Sequence, residues 1–124
     1  NYLDAALADL ASRTSHTGNP LADEVTLVVF SEMGREPQLN SWGGRDHWTF
    51  TSTLLIGSGI RGGQVVGGLD ESGQGRKIDL ESGDFSDNGE VILPEHLGTT
   101  LLTLGDVDPA EFIDNGHPLS AVIA

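Results

Sequence analysis

Cysteine is absent from this chain, and with it go a disulfide framework, a thiolate nucleophile and any cysteine-ligated zinc. That absence does not fix a compartment, because many exported proteins also lack cysteine. Basic residues are scarce. Six Lys and Arg stand against nineteen Asp and Glu, a formal net charge of -13 at pH 7. Such a surface repels nucleic acid and anionic membranes, since both need Lys or Arg to neutralise phosphate. No apolar run is long enough to span a bilayer. The expected partners therefore include neither nucleic acid nor membrane.

The few cations are unevenly placed. Arg35, Arg45, Arg61, Arg76 and Lys77 fall in the middle of the chain and only Arg13 lies outside this zone, while ten carboxylates follow Lys77. A local cationic zone in an acidic protein is what an anionic small ligand requires. Ordinary surface pairing of each arginine with a nearby acid is the alternative.

The 124 residues suffice for one domain with one core, or for part of a larger one. The chain starts at Asn1-Tyr2-Leu3-Asp4, already inside a helical pattern, and a mature or truncated N-terminus is expected. Leu3, Ala6, Leu7, Leu10 and Ala11 recur at three and four residues and predict an amphipathic helix over 2–14, ended by the breaker cluster Ser15–Pro20. Thr26 to Phe30 is a continuous run of β-forming apolar residues, the pattern of a strand covered on both faces. Helix, short loop and buried strand together read as the second half of a βαβ unit. Thr51–Ile56 predicts a second buried strand, and Gln64–Val66 a short third. Arg76–Glu81 and Glu90–Leu93 flank Asp87-Asn88-Gly89 as a hairpin. Pro94 opens a helix whose buried face is Leu97, Leu101, Leu102 and Leu104, with Gly105 as its stop. Ala121–Ile123 reads as a possible last strand. His16, His96 and His117 read as solvent-facing or turn residues.

Several motif readings fail on detail. The glycine run from Gly57 to Gly63 lacks the Gly-Lys-Ser/Thr ending of a phosphate loop. The acids from Asp79 to Glu90 lack the spacing and placed glycine of an EF-hand. No serine sits in a Gly-x-Ser-x-Gly elbow.

Chemistry concentrates instead in 26–48, TLVVFSEMGREPQLNSWGGRDHW. A buried strand runs into a polar loop carrying Glu32, Arg35, Arg45, Asp46 and His47, and sheet-end loops are where α/β proteins gather their sites. Glu32, Asp46 and His47 offer carboxylate oxygen and imidazole nitrogen to a divalent metal. By spacing alone, Asp46 as a turn cap and His47 as a hydrogen-bonded core residue is the reading that prevails. Trp42 and Trp48 bracket the loop glycines, either stacking on a substrate or burying the loop.

The order of TLVVFSEMG, RDHW, TLLIGSGIRGG and LPEHLGTTLLTLGDVD resembles the C-terminal half of the alkaline-phosphatase/sulfatase superfamily. FSEMGR with GGRDHW is similar to its sulfatase-related, twin-arginine-exported bacterial branch, a domain of unknown function. This resemblance implies an α/β fold, a mostly parallel sheet flanked by helices, in an alkaline-phosphatase-like half-domain with a small antiparallel hairpin. Residues 1–124 are then one domain, the C-terminal part of a larger one. The implied activity is metal-dependent hydrolysis of sulfate or phosphate esters, absent from the isolated chain; a non-catalytic binding or secretion-associated module with a decayed site is the alternative. Glu32, Asp46 and His47 fall at or beside metal-ligand positions, the metal being zinc, magnesium, calcium or manganese. Arg35 and Arg45 fall where an anion would be met. Met33 stands where a second histidine ligand belongs, and a thioether suits a hard dication poorly. The nucleophile has no counterpart in this chain. The implied partners are an anionic small-molecule ester, together with the missing N-terminal half or a second copy of the chain. The implied location is periplasmic or extracellular.

Overall fold

A computed structural model describes residues 1–124. The elements in chain order are α1 (Tyr2–Ser12), β1 (Thr26–Phe30), β2 (Gly34–Arg35), β3 (His47–Trp48), β4 (Thr53–Gly57), β5 (Lys77–Ile78), β6 (Glu90–Val91) and α2 (Pro94–Leu104). Short 3-10 turns lie at Leu21–Asp23, Pro109–Glu111 and Ser120–Val122. The chain divides into two units, Asn1–Gly62 and Gly63–Ala124. No helix is long and apolar enough to cross a membrane.

In the first unit, the Asn1 side chain accepts from the Leu3 N–H at 2.9 Å and so caps α1, satisfying one of the donors that every helix start leaves open. Leu3, Leu7 and Leu10 are half-buried, yet no residue of α1 is fully buried. β1 and β4 pair antiparallel, with Thr26 opposite Gly57, Val28 opposite Leu55 and Phe30 opposite Thr53. Gly57 is required there. Its φ is +114°, and a Cβ would stand 2.2 Å from the Val25 carbonyl oxygen. β2 and β3 form a second antiparallel pair, Gly34 opposite Trp48 and Arg35 opposite His47.

The expected α/β fold with a mostly parallel sheet is therefore overturned. The chain forms three separate two-stranded sheets, every one antiparallel. Parallel neighbours need a crossover of a dozen or more residues, usually a helix. Residues 31–52, which join β1 to β4, carry Pro37, Gly43 and Gly44 and fold as the β2–β3 hairpin instead. The apolar run of β1 also misled about cover. Val29 and Phe30 are 45% and 66% exposed.

The second unit holds the fully buried hydrophobic residues, Ile78 and Ala121. β5 pairs with β6, and the Ser86-to-Gly89 turn closes between them with a 3.0 Å bond from the Gly89 N–H to the Ser86 carbonyl. Arg76 stacks over the Phe85 ring at 3.4 Å from its centroid, a cation–π contact. In α2 the most buried face is His96, Thr99 and Thr100, while the leucines are only half-buried. Thr100 Oγ1 donates to the His96 carbonyl at 2.6 Å and accepts from the Leu119 N–H at 2.8 Å, tying the tail to the helix. Gly98 lets Ile113 approach, since a Cβ would lie 3.1 Å from Ile113 Cδ1. Gln64–Val66 forms no strand, and Ser120–Val122 is a 3-10 turn rather than one.

Candidate functional site

The β2–β3 hairpin is positioned by one glycine and one asparagine. At Gly34 a Cβ would stand 1.7 Å from the Phe50 carbonyl oxygen, so the two arms of the hairpin meet only because that side chain is missing. Asn40 then organises the loop. Its Oδ1 accepts from the N–H groups of Trp42 and Gly44 at 3.0 and 2.9 Å, and its Nδ2 donates to Asp46 Oδ1 at 2.8 Å. Its own N–H donates to the Gly44 carbonyl at 2.8 Å. Gly43, at φ +74°, takes the left-handed step this turn needs. The sequence reading passed over Asn40; an asparagine two and four residues ahead of the donors it collects was the available signal.

The Glu36 N–H donates to the Asp46 carbonyl at 3.0 Å. Positions 36 and 46 are thus the hydrogen-bonded pair, and Arg35 opposite His47 is the neighbouring non-bonded pair, where facing side chains share one side of the ribbon at the shortest separation. Both guanidiniums are latched to backbone. Arg35 Nη1 donates to the Arg45 carbonyl at 3.2 Å. Arg45 Nη1 donates to the Glu36 carbonyl at 2.9 Å and also to that of Pro37. In each case Nη1 is the engaged nitrogen. The Nε–Nη2 edge, which grips a carboxylate, sulfate or phosphate in bidentate fashion, takes no part in these bonds. Neither arginine forms an ion pair with a carboxylate, whereas Arg13 pairs with Asp9 at 2.7 Å. Ordinary acid pairing thus accounts for Arg13 and not for these two.

The other candidates are less collected. Glu32 is exposed and precedes β2 by two residues, so Arg35, not Glu32, stands opposite His47. Asp46 serves the loop through Asn40. His47 is exposed. No group of three or more His, Asp or Glu side chains is gathered so as to hold a metal ion. Zinc asks for at least three protein donors and magnesium for six oxygens. Glu32, Asp46 and His47 do not by themselves fit a resident divalent metal. Trp42 is 93% exposed at the loop tip, and Trp48 packs edge-on against Phe50 with centroids 5.9 Å apart.

In the second unit a cavity of about 340 Å³ lies beside the β5–β6 turn, lined in part by Asp79, Glu81, Glu90 and His117. The backbone N–H groups of Ser82 and Glu81 hold the Asp79 carboxyl below the usual aspartate range. His96 was expected in solvent and is instead 5% exposed. Its Nδ1 accepts from the Leu93 N–H at 3.0 Å and caps α2, and its Nε2 lies 3.6 Å from Glu90 Oε2. The third position of a helix is where a side chain can reach back to the cap, the clue that spacing alone understated.

The model of a family described as protein of unknown function (DUF1501) matches residues 1–90, a span that contains the whole β2–β3 hairpin. No curated protein and no solved structure matches the chain.

Proposed function

The chain belongs to the DUF1501 family of proteins of unknown function, and from that premise we propose that its β2–β3 hairpin is an anion-binding element for a sulfate or phosphate ester. One observation carries the proposal: two guanidiniums latched by Nη1 to the backbone of a single hairpin, neither paired with a carboxylate, in a chain of net charge -13. Holding Nη1 on a carbonyl orients the plane of each guanidinium before the ligand arrives, which lowers the ordering cost of binding. His47, across from Arg35, adds a third polar group at the same place.

The resemblance of FSEMGR and GGRDHW to sulfatase-related proteins supports the choice of ester and extends the proposal to a hydrolase lineage exported from a bacterial cell. In a hydrolytic assembly Glu32 and His47 would be two donors to a divalent metal, and further donors would have to come from outside this hairpin. The non-catalytic reading, a binding module that kept the anion contacts, agrees better with Met33 in a ligand position and with the uncollected carboxylates.

Equilibrium binding of phenyl phosphate and phenyl sulfate to the chain and to its Arg35→Ala and Arg45→Ala forms tests this. Saturable binding with a Kd on the order of 1 mM, weakened about tenfold by either change, is expected for exposed guanidinium contacts. A chelator leaves that affinity unchanged. Binding equally strong in both variants, or none at all, removes the hairpin from consideration.

A further inference from the structure

Asparagine followed by glycine occurs twice in this chain, each time behind an aspartate: Asp87-Asn88-Gly89 and Asp114-Asn115-Gly116. The glycine nitrogen of such a pair can attack the neighbouring side-chain amide, because no Cβ shields it. Both asparagines are exposed. Local sequence and exposure treat the two alike, and the fold does not.

The first pair is held. The Gly89 N–H donates to the Ser86 carbonyl at 3.0 Å, and Glu90 beside it pairs with Ile78 in the β5–β6 ribbon. The Gly89 backbone packs so closely there that a Cβ would run into the Ile78 carbonyl. Bringing its nitrogen to the Asn88 amide means giving up a hydrogen bond and opening the ribbon end. The second pair is not held. The last backbone bond before it runs from the Ile113 N–H to the Pro109 carbonyl at 2.8 Å, and the next after it from the Leu119 N–H to Thr100 Oγ1 at 2.8 Å. No backbone N–H or C=O from 114 to 118 takes part in a hydrogen bond.

We propose that Asn115 is a self-modification site whose product unfastens the C-terminal tail. The Gly116 nitrogen loses its proton and bonds to Asn115 Cγ. The Cγ–Nδ2 bond breaks, and that nitrogen leaves as ammonia, taking up the proton. One water molecule then opens the cyclic imide. Breaking the bond from Gly116 N to Cγ leaves aspartate. Breaking the bond from Gly116 N to the main-chain carbonyl carbon of residue 115 leaves isoaspartate, with Cβ now in the main chain. Nothing is oxidised or reduced.

The added main-chain atom meets a packed surface. At Gly116 even a Cβ would run into Thr99 Oγ1 and stand 2.8 Å from Ile113 Cγ2. The tail beyond is fastened by the Leu119 bond to Thr100 and by the Ala121 N–H, which donates to the Leu80 carbonyl at 2.9 Å. Ala121 is itself fully buried. A longer chain at 115 shifts the tail against both fastenings, and a close-packed interior does not absorb the shift. The site belongs to the second unit, so this inference and the anion-binding hairpin stand or fall separately.

Peptide mapping by mass spectrometry of the 124-residue chain, incubated at mildly alkaline pH both folded and in urea, decides this. In the folded chain Asn115 is expected to convert at least about fivefold faster than Asn88, the factor that one hydrogen bond imposes on opening. In urea the two rates converge, because the tripeptides are the same. Fragmentation that tells isoaspartate from aspartate finds isoaspartate at 115. Amide exchange of Leu119 and Ala121 quickens as conversion proceeds, and keeps its starting rate in Asn115→Gln, whose longer side chain closes the ring poorly. Asn88 converting as fast as Asn115 in the folded chain, a difference that persists in urea, or an Asn115 that stays intact overturns the site. Exchange at Leu119 and Ala121 that ignores conversion overturns the unfastening.

Discussion

Arg35 reaches across the hairpin with its Nη1 to the carbonyl oxygen of Arg45, at 3.2 Å, while Arg45 turns its own Nη1 back onto the Glu36 carbonyl at 2.9 Å. Each arginine thereby fixes the other's stretch of backbone through Nη1 alone, and in the proposed function the opposite edge of its guanidinium meets the anion. Lysine keeps the charge but loses the fork. Arg35→Lys is expected to cost most of the phenyl phosphate affinity that Arg35→Ala costs; recovery of native affinity by lysine would mean that charge alone suffices.

Asn40 holds the loop on which this depends. Asn40→Ala removes acceptors from the Trp42 and Gly44 N–H groups and the donor to Asp46. The expected result is about 1–2 kcal/mol of lost stability and faster amide exchange at both positions, since water replaces part of each bond. Unchanged exchange would mean that the loop is held by its backbone alone.

Gly34 leaves no room for a side chain, with 1.7 Å between its notional Cβ and the Phe50 oxygen. Gly34→Ala is expected to destabilise by about 3 kcal/mol, the upper end of overpacking, because rigid backbone rather than a flexible side chain must yield. A shift of the urea midpoint checks it, and a neutral substitution would show that the arms do not approach this closely.

In the second unit Thr99 buries a hydroxyl that has no hydrogen-bond partner. Thr99→Val keeps the shape and removes the unsatisfied group. A gain of about 1 kcal/mol is expected in chemical denaturation, and a loss of that size would reveal a partner for Oγ1.

Asp70 and Asp79 contribute to an acid limb. The Ser72 hydroxyl and the Gln74 N–H lower the pKa of Asp70, and the Ser82 and Glu81 N–H groups lower that of Asp79. A folded-state pKa below the unfolded one contributes stability that is complete above the unfolded value and is lost as pH falls through the folded value. NMR titration of both carboxyls should therefore give midpoints below the ordinary aspartate value of about 3.9. Midpoints at or above it would contradict these turns.

Local structure was largely legible, and assembly was not. The three- and four-residue leucine spacing located α1, Pro94 and Gly105 bounded α2, and the apolar run from Thr26 to Phe30 is β1 to the residue. Strand direction was lost because an apolar run suits either orientation; the intervening Pro37 and the Gly43-Gly44 pair, poor material for a crossover helix, were the better guide. Cover was lost for the same reason, as Val29 and Phe30 state that burial is favourable and not what supplies it. At the candidate site, the cation distribution drew attention to Arg35 and Arg45. The geometry that makes them useful runs through Asn40 and carbonyl oxygens, which no pattern of side-chain types displays.

The most direct test is an amide-resolved NMR titration of the chain with inorganic phosphate at constant ionic strength. The account predicts saturable shifts concentrated at 34–48, led by Arg35, Arg45 and His47, and abolished in the Arg35→Ala/Arg45→Ala double variant. Shifts spread evenly over the chain, centred on Arg76 and Lys77, or unaltered in the double variant would contradict it.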